Sequence, residues 1–290
     1  MTYLILGGSG QVGSTFRNLL NQKKKDFLAP TREELNLTSF GKLVDFISEI
    51  RPKYILNFAG WTNVDAAENN ERAALILNGH LPEALASAAF KYNSTLVHLS
   101  TDYVFSGIRH TPWRELEPTN PGNAYGRTKK HGEDAVLGVY PQNSYIFRTA
   151  WLYSKYGDNF AKTICRKILN SEGTLKVVDD QIGQPTLVND LCEQIYAALE
   201  FKINPGIYHA TNSGMCTWYE FAQEIINLIG NDRNRIQRIS TSELKQLTYR
   251  PEFSVLGHES WEKVGIREMQ NWKLALENSI QEIFQTVVGE

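Results

Sequence analysis

The feature that most constrains this chain lies within its first thirteen residues. An apolar run, Tyr3-Leu4-Ile5-Leu6, leads directly into Gly7-Gly8-Ser9-Gly10-Gln11-Val12-Gly13. Beyond the turn Val12, Phe16, Leu19 and Leu20 recur at helical spacing, which predicts a helix over Gln11 to Lys25. A strand, a glycine-rich turn and a helix in that order open a βαβ unit. Each glycine has its own physical task. Gly7 permits the tight turn, Gly10 lets a pyrophosphate approach the backbone, and Gly13 lets the helix pack closely on the strand. The helix start offers free N–H groups and a partial positive charge to the phosphates. Strand, turn and helix together point to a bound dinucleotide.

The βα rhythm continues for half the chain. Short strands are expected at Asp26 to Ala29, Tyr54 to Asn57, Thr95 to Leu99 and Ser144 to Phe147. Helices are expected at Phe40 to Ile50, at Glu71 to Tyr92 and at roughly Asn123 to Val139. The strands are continuously apolar rather than alternating, which implies a parallel sheet covered on both faces. Beyond Arg148 the rhythm loosens. Phe160 to Leu169, Val188 to Leu199, Thr217 to Ile229 and Trp272 to Phe284 read as helices, and Leu175 to Val178 as extended. No linker rich in Gly, Ser or Pro separates the halves, so a second lobe should be woven onto the first. The expected division gives residues 1–150, plus roughly 174–208, to dinucleotide binding. Roughly 151–173 and 209–290 then form a substrate lobe.

Composition excludes several classes. With 30 Lys+Arg against 32 Asp+Glu the net charge is -2, which gives no general attraction to nucleic acid. No apolar run reaches the ~20 residues of a spanning helix, and the N-terminus lacks the pattern of a signal peptide. Cys165, Cys192 and Cys216 are odd in number and far apart, the pattern of idle thiols in a reducing cytoplasm. No His/Cys group stands at metal-ligand spacing, so no metal is expected.

Two further stretches carry chemistry. Adenosine-ribose selectivity is set at the end of the second strand, where Ala29-Pro30-Thr31-Arg32 stands. Arg32 there favours the 2′-phosphate of NADPH, with NADH as the alternative and a solvated surface arginine as the plain reading. The fourth strand ends in Leu99-Ser100-Thr101-Asp102-Tyr103-Val104-Phe105, and Tyr125 and Lys129 lie four apart on one helix face. A free phenol has a pKa near ~10, and a neighbouring ammonium lowers it. Tyr125 could then donate a proton to a developing alkoxide while Thr101 hydrogen-bonds the same oxygen.

In these motifs the chain resembles the extended short-chain dehydrogenase/reductases, and among them the dTDP-4-dehydrorhamnose reductases. The matching stretches are Gly7 to Gly13, Asn57 to Asp65 with Glu68, Ser100 to Phe105, Tyr125 to Lys129, Phe147 to Trp151, Asp180 to Thr186, and Arg250-Pro251 with Ser254 and Leu256. The resemblance implies a Rossmann-type doubly wound parallel sheet with a smaller, interwoven C-terminal substrate lobe. It implies hydride transfer from NADPH to C4 of a dTDP-4-keto-6-deoxyhexose. Tyr125 would be the proton donor, Lys129 would hold the nicotinamide ribose, and Thr101 would polarise the C4 carbonyl. Gly10, Gln11 and Val12 would contact the pyrophosphate, and Ala59 and Gly60 the adenosine side. Thr62, Val64, Asp102, Tyr103 and Trp151 would line the sugar pocket. The family often carries a glutamate after the glycine turn that helps place a metal at a dimer contact. Ser14-Thr15 stands there instead, which leaves the homodimer open. Asn36 and Trp61 also depart from common family residues, away from the path of hydride and proton.

Three rivals are weighed against this reading. A 4,6-dehydratase carries Thr-Asp-Glu where Thr101-Asp102-Tyr103 stands. A 4-epimerase would retain its NAD on purification. A non-catalytic nucleotide-binding regulatory subunit could keep the glycine turn, but need not keep Thr101, Tyr125 and Lys129 together.

Overall fold

The computed structural model describes residues 2–244 and 248–289. Five strands form in the first half: β1 (Tyr3–Leu6), β2 (Phe27–Leu28), β3 (Tyr54–Asn57), β4 (Thr95–Thr101) and β5 (Ser144–Thr149). Shorter ones follow: β6 (Leu152–Tyr153), β7 (Leu175–Val178), β8 (Ile182–Gly183), β9 (Thr186–Leu187), β10 (Gly206–His209), β11 (Cys216–Thr217) and β12 (Ile236–Ile239). The central sheet has six strands in the order β10-β5-β4-β3-β1-β2, every pair parallel. Chain order reverses between β1 and β3. Ligands of open α/β sheets lie outside the carboxyl ends of strands at such a reversal.

Helices cover both faces. One face carries α1 (Gln11–Gln22) and α8 (Val188–Glu200), whose Phe16, Leu20, Leu191 and Ile195 bury against Ile5, Leu56 and Val97. The other carries α2 (Phe40–Ile50), α5 (Leu81–Tyr92) and α6 (Ala124–Val139), with Leu43, Leu85 and Val136 against Leu4, Ile55 and Ile146. Two short helices, α3 (Val64–Asn69) and α4 (Glu71–Leu75), lie between α2 and α5 in the chain. A separate core belongs to α7 (Phe160–Asn170), α9 (Trp218–Leu228) and α11 (Trp272–Val288), with the short α10 (Glu259–Lys263) lying between the last two in sequence. Strand β7 pairs with β12 in this lobe, and Val177 joins its core. Among the described residues no helix is long and apolar enough to cross a membrane.

Several expected elements change length, each for a visible reason. Helix α1 stops at Gln22 because Lys24 turns left-handed, at φ 53°, and Lys25 bonds back to the Leu20 carbonyl. The expected helix from Glu71 to Tyr92 is interrupted by a π turn at Ile76–His80, where Asn78 and Gly79 are buried. Strands β4 and β5 extend two residues further than their apolar runs, through Ser100↔Arg148 and Thr101↔Thr149. That extension places Thr101 at the last rung of the ladder.

Candidate active site

The glycine turn closes on β3. Gly7 has φ +80°, and a Cβ there would lie 2.7 Å from the Ala59 nitrogen. At Gly13 a Cβ would sit 2.2 Å from the Gly7 carbonyl oxygen. Gly10 is exposed and stands at the N-cap of α1, which has no side-chain cap and no acidic residue in its first turn. Such a helix start keeps its N–H groups free for an anion. The backbone cradle and the absence of competing carboxylates fit a dinucleotide pyrophosphate. Gln11 also ties this end of α1 to the segment after β6, accepting from Ser154 Oγ at 3.0 Å and from Asn159 Nδ2 at 3.1 Å. Val12 turns into the core. Arg32 is exposed and pairs with no described acidic side chain.

Ala59 and Gly60 follow β3, and the loop is fixed by a residue that the sequence reading passed over. Asn78 Oδ1 accepts from the Trp61 N–H at 2.8 Å, and Asn78 Nδ2 donates to the Trp61 carbonyl at 3.1 Å. The same nitrogen donates to Thr128 Oγ1 on α6, also at 3.1 Å. Asn78 therefore joins the nucleotide-side loop to the helix of Tyr125 and Lys129. Its signal in the sequence is an Asn-Gly pair inside an otherwise apolar helical run, which favours a break. Thr62 is exposed, and Val64 opens α3 half-buried.

Thr101, Asp102, Tyr103 and Tyr125 converge at the end of β4. Thr101 Oγ1 donates to Asp102 Oδ1 at 3.0 Å and accepts the Tyr103 N–H at 3.2 Å. The rings of Tyr103 and Tyr125 meet edge to face, 5.9 Å apart. Asn123 caps α6 by accepting the Gly126 N–H at 2.8 Å, and Glu68 accepts the Ala124 N–H at 2.8 Å, which fixes Tyr125 in the first turn. Gly126 is required there, since a Cβ would lie 2.2 Å from the Tyr103 carbonyl. The C-terminal Arg250 donates to Asp65 at 3.0 Å and stands beside the Tyr103 phenol.

Dryness sets the protonation of these groups. Burial pushes the Tyr125 phenol well above its ordinary value, opposed by the Thr101 hydroxyl and reinforced by Asp102 and Tyr103. Burial likewise lifts Asp102 to about 6, against the hydroxyls of Ser254 and Thr101, and Tyr103 to about 12. Lys129 is lowered to about 8 by burial, partly offset by the Glu133 carboxylate. Its ammonium donates to the Leu99 carbonyl. The shift of the phenol therefore runs upward, led by desolvation, and not downward as expected from a neighbouring ammonium. Glu133 is itself fixed by a buried two-pronged pair with Arg148, at 2.8 and 2.7 Å.

Trp151 packs against the core of the smaller lobe. Its backbone is left-handed, φ 44°, and its indole stacks on Trp218 with centroids 3.5 Å apart. Gly183 makes room for it: a Cβ there would lie 2.5 Å from the indole. A further open depression of about 870 Å³, lined by Pro112, Met215, His258 and Glu262 among others, contains none of the expected site residues.

The parallel sheet, the glycine turn at its reversal point and the Thr–Tyr–Lys set beside it define a dinucleotide-binding α/β protein of the reductase type. The chain matches the model for the RmlD substrate binding domain over residues 1–285. It is 40% identical over 281 residues to a dTDP-4-dehydrorhamnose reductase of Streptomyces griseus, covering 96% of this chain and 92% of that one. A dTDP-4-keto-6-deoxy-D-glucose reductase of Streptomyces niveus is 38% identical, with 94% of each chain covered. Among solved structures, the dTDP-4-dehydrorhamnose reductase of Bacillus anthracis in complex with NADP superimposes with a TM-score of 0.93. It is 34% identical, and 97% of this chain and 99% of that one are covered. The chain belongs to the dTDP-4-dehydrorhamnose reductase family.

Proposed function

We propose that this protein reduces the C4 ketone of a dTDP-4-keto-6-deoxyhexose with NADPH, turning dTDP-4-dehydrorhamnose into dTDP-L-rhamnose. The observation that carries the reading is the half-buried Tyr125 standing with its phenol beside the buried Thr101 hydroxyl at the end of β4. NADPH, when bound, supplies the hydride that reaches C4. The chain's own residues handle the oxygen. Tyr125, kept neutral by burial, is the acid that gives its proton to O4, and Thr101 hydrogen-bonds the same oxygen as charge develops there. Lys129 spends one N–H on Leu99, and its ammonium keeps two further donors for the ribose hydroxyls.

Gly7, Gly10, Gln11, Val12 and Gly13 would hold the pyrophosphate, with Ala59 and Gly60 on the adenosine side and Arg32 at the 2′-phosphate. Thr62, Val64, Asp102, Tyr103 and Trp151 are assigned to the sugar nucleotide. The packing of α8 on α1 supports giving the stretch around 188–200 to the dinucleotide unit. The pairing of β7 with β12 draws 175–178 towards the substrate lobe. Three buried, unpaired cysteines suit a cytoplasmic setting.

Tyr103 in place of a second carboxyl group favours reduction over dehydration, since elimination of water needs both an acid and a base. The test supplies the dTDP-4-keto-6-deoxy sugar and NADPH, follows cofactor oxidation and identifies the product by NMR. Stoichiometric oxidation with a reduced C4 is expected. A protein that purifies with retained NAD and interconverts C4 epimers would overturn the assignment.

A further inference from the structure

We propose that His80, Glu83 and His131 form a binding site for a divalent transition-metal ion of the zinc type, bridging the start of α5 and the middle of α6. One ligand atom of each residue lies within 4.8 Å of the other two. His80 Nδ1 is 3.7 Å from the Glu83 carboxylate, and the two imidazoles meet edge to face with centroids 5.6 Å apart. No other such trio of His, Cys, Asp or Glu occurs among the described residues.

The fold builds this arrangement. The π turn Ile76–His80 ends on His80, and Glu83 follows one helical turn later on the same side. The backbones of the π turn and α6 are in contact, since a Cβ on Gly132 would lie 2.1 Å from the Asn78 carbonyl oxygen. His131 reaches across because residue 79 has no side chain; a Cβ on Gly79 would meet the His131 ring at 2.6 Å. Close backbones therefore fix the spacing of the ligands, while their tips stay free to adjust. Donors around a tetrahedral zinc ion, at bond lengths of about 2.0–2.1 Å, stand roughly 3.3 Å apart. Small torsional changes at three solvent-reaching side chains close the remaining gap.

The donor set selects the metal. Two neutral imidazoles and one carboxylate suit zinc and its neighbours, whereas magnesium and calcium prefer oxygen ligands throughout. Three protein ligands leave a fourth position to water on the exposed side. His80 and His131 make no hydrogen bond to another described side chain, so binding would break none. The trio escapes sequence reading because its third member comes from a separate helix. The site is independent of the proposed reduction, which needs no metal, although His131 lies two residues beyond Lys129 on α6.

The test is calorimetric titration of Zn²⁺ into the chelator-treated full chain, with thermal unfolding in parallel. One ion per chain is expected, together with a Tm that rises with Zn²⁺. Binding should weaken about tenfold or more in His131→Ala and in Glu83→Gln, with the Zn²⁺-dependent Tm shift lost. Excess Mg²⁺ should not compete. The metal-free Tm of His131→Ala should match the wild type, which separates a lost ligand from a damaged fold. The chief competing locus is His258 with Glu268, at 3.3 Å, because the cysteines and His98 and His209 are buried. Absence of binding, wild-type binding in His131→Ala, or loss of binding only in His258→Ala would each overturn the proposal.

Discussion

The glycine turn at residues 7–13 and the pocket of Thr101 and Tyr125 lie at the same carboxyl edge of the central sheet, yet they are made from different groups. The turn is main chain: Gly7 and Gly13 bring backbone against backbone, and the helix start carries neither a side-chain cap nor an acidic residue. The pocket is side chain: Thr101, Asp102, Tyr103 and Lys129 are buried, and burial displaces each ionisable member in the direction of its neutral form. A site made of backbone dipoles works at any ordinary pH and fails only when its shape is lost. A site made of desolvated acids and bases depends on pH and fails when one atom is removed.

The largest effect expected from this contrast comes from filling the turn. Gly13→Val places side-chain atoms where even a Cβ would be 2.2 Å from the Gly7 carbonyl. Overpacking of this kind costs about 1–3 kcal/mol or more, and here it also moves the helix start. NADPH binding by fluorescence titration should become undetectable. Gly41→Ala, where a Cβ would meet nothing within 4 Å, should bind as the wild type does and show that glycine loss alone is harmless.

A smaller effect is expected at Lys129, and it has a pH signature. Burial lowers its pKa to about 8, so the free protein carries the ammonium below that pH and loses it above. An anionic cofactor binds the charged form better, so NADPH affinity should fall as pH rises through about 8. Hydrogen bonds to charged groups contribute about 1.5–3 kcal/mol, so Lys129→Met should weaken NADPH binding by roughly 10- to 100-fold. The variant should also lose the alkaline decline. A decline that persists unchanged in Lys129→Met would assign it to another group.

The smallest effect belongs to Arg32. Its guanidinium is exposed, and exposed ion pairs contribute about 0.2–1 kcal/mol. Arg32→Ala should reduce the NADPH/NADH ratio of kcat/KM by only a few-fold. An unchanged ratio would place 2′-phosphate selection elsewhere.

The same contrast explains what the sequence could reveal. The turn was legible because its glycines answer to local geometry, which a run of seven residues contains. The sheet was legible wherever a strand was a continuous apolar run, as in β1 and β3. Strand β10 escaped notice because Gly206 and Ile207 are only half-buried at the sheet edge. The two-residue strands of the smaller lobe carry no periodicity at all. Within the site, Thr101, Tyr125 and Lys129 could be named from their motifs, but the orientation of Lys129 towards Leu99 depends on how α6 meets β4. Asn78 and the stacking of Trp151 on Trp218 depend on contacts between segments distant in sequence.

The central claim is that Tyr125 is the proton donor, and Tyr125→Phe tests it most directly. Removing one hydroxyl leaves the edge-to-face contact with Tyr103 and the glycine turn in place. Turnover of a dTDP-4-keto-6-deoxy sugar should be measured beside NADPH affinity in the same preparation. General acid catalysis is worth about 10²–10⁴-fold, so kcat should fall within that range while NADPH affinity stays close to wild type. A Tyr125→Phe enzyme whose kcat remains within a few-fold of wild type would contradict the account and send the proton through another group in the pocket.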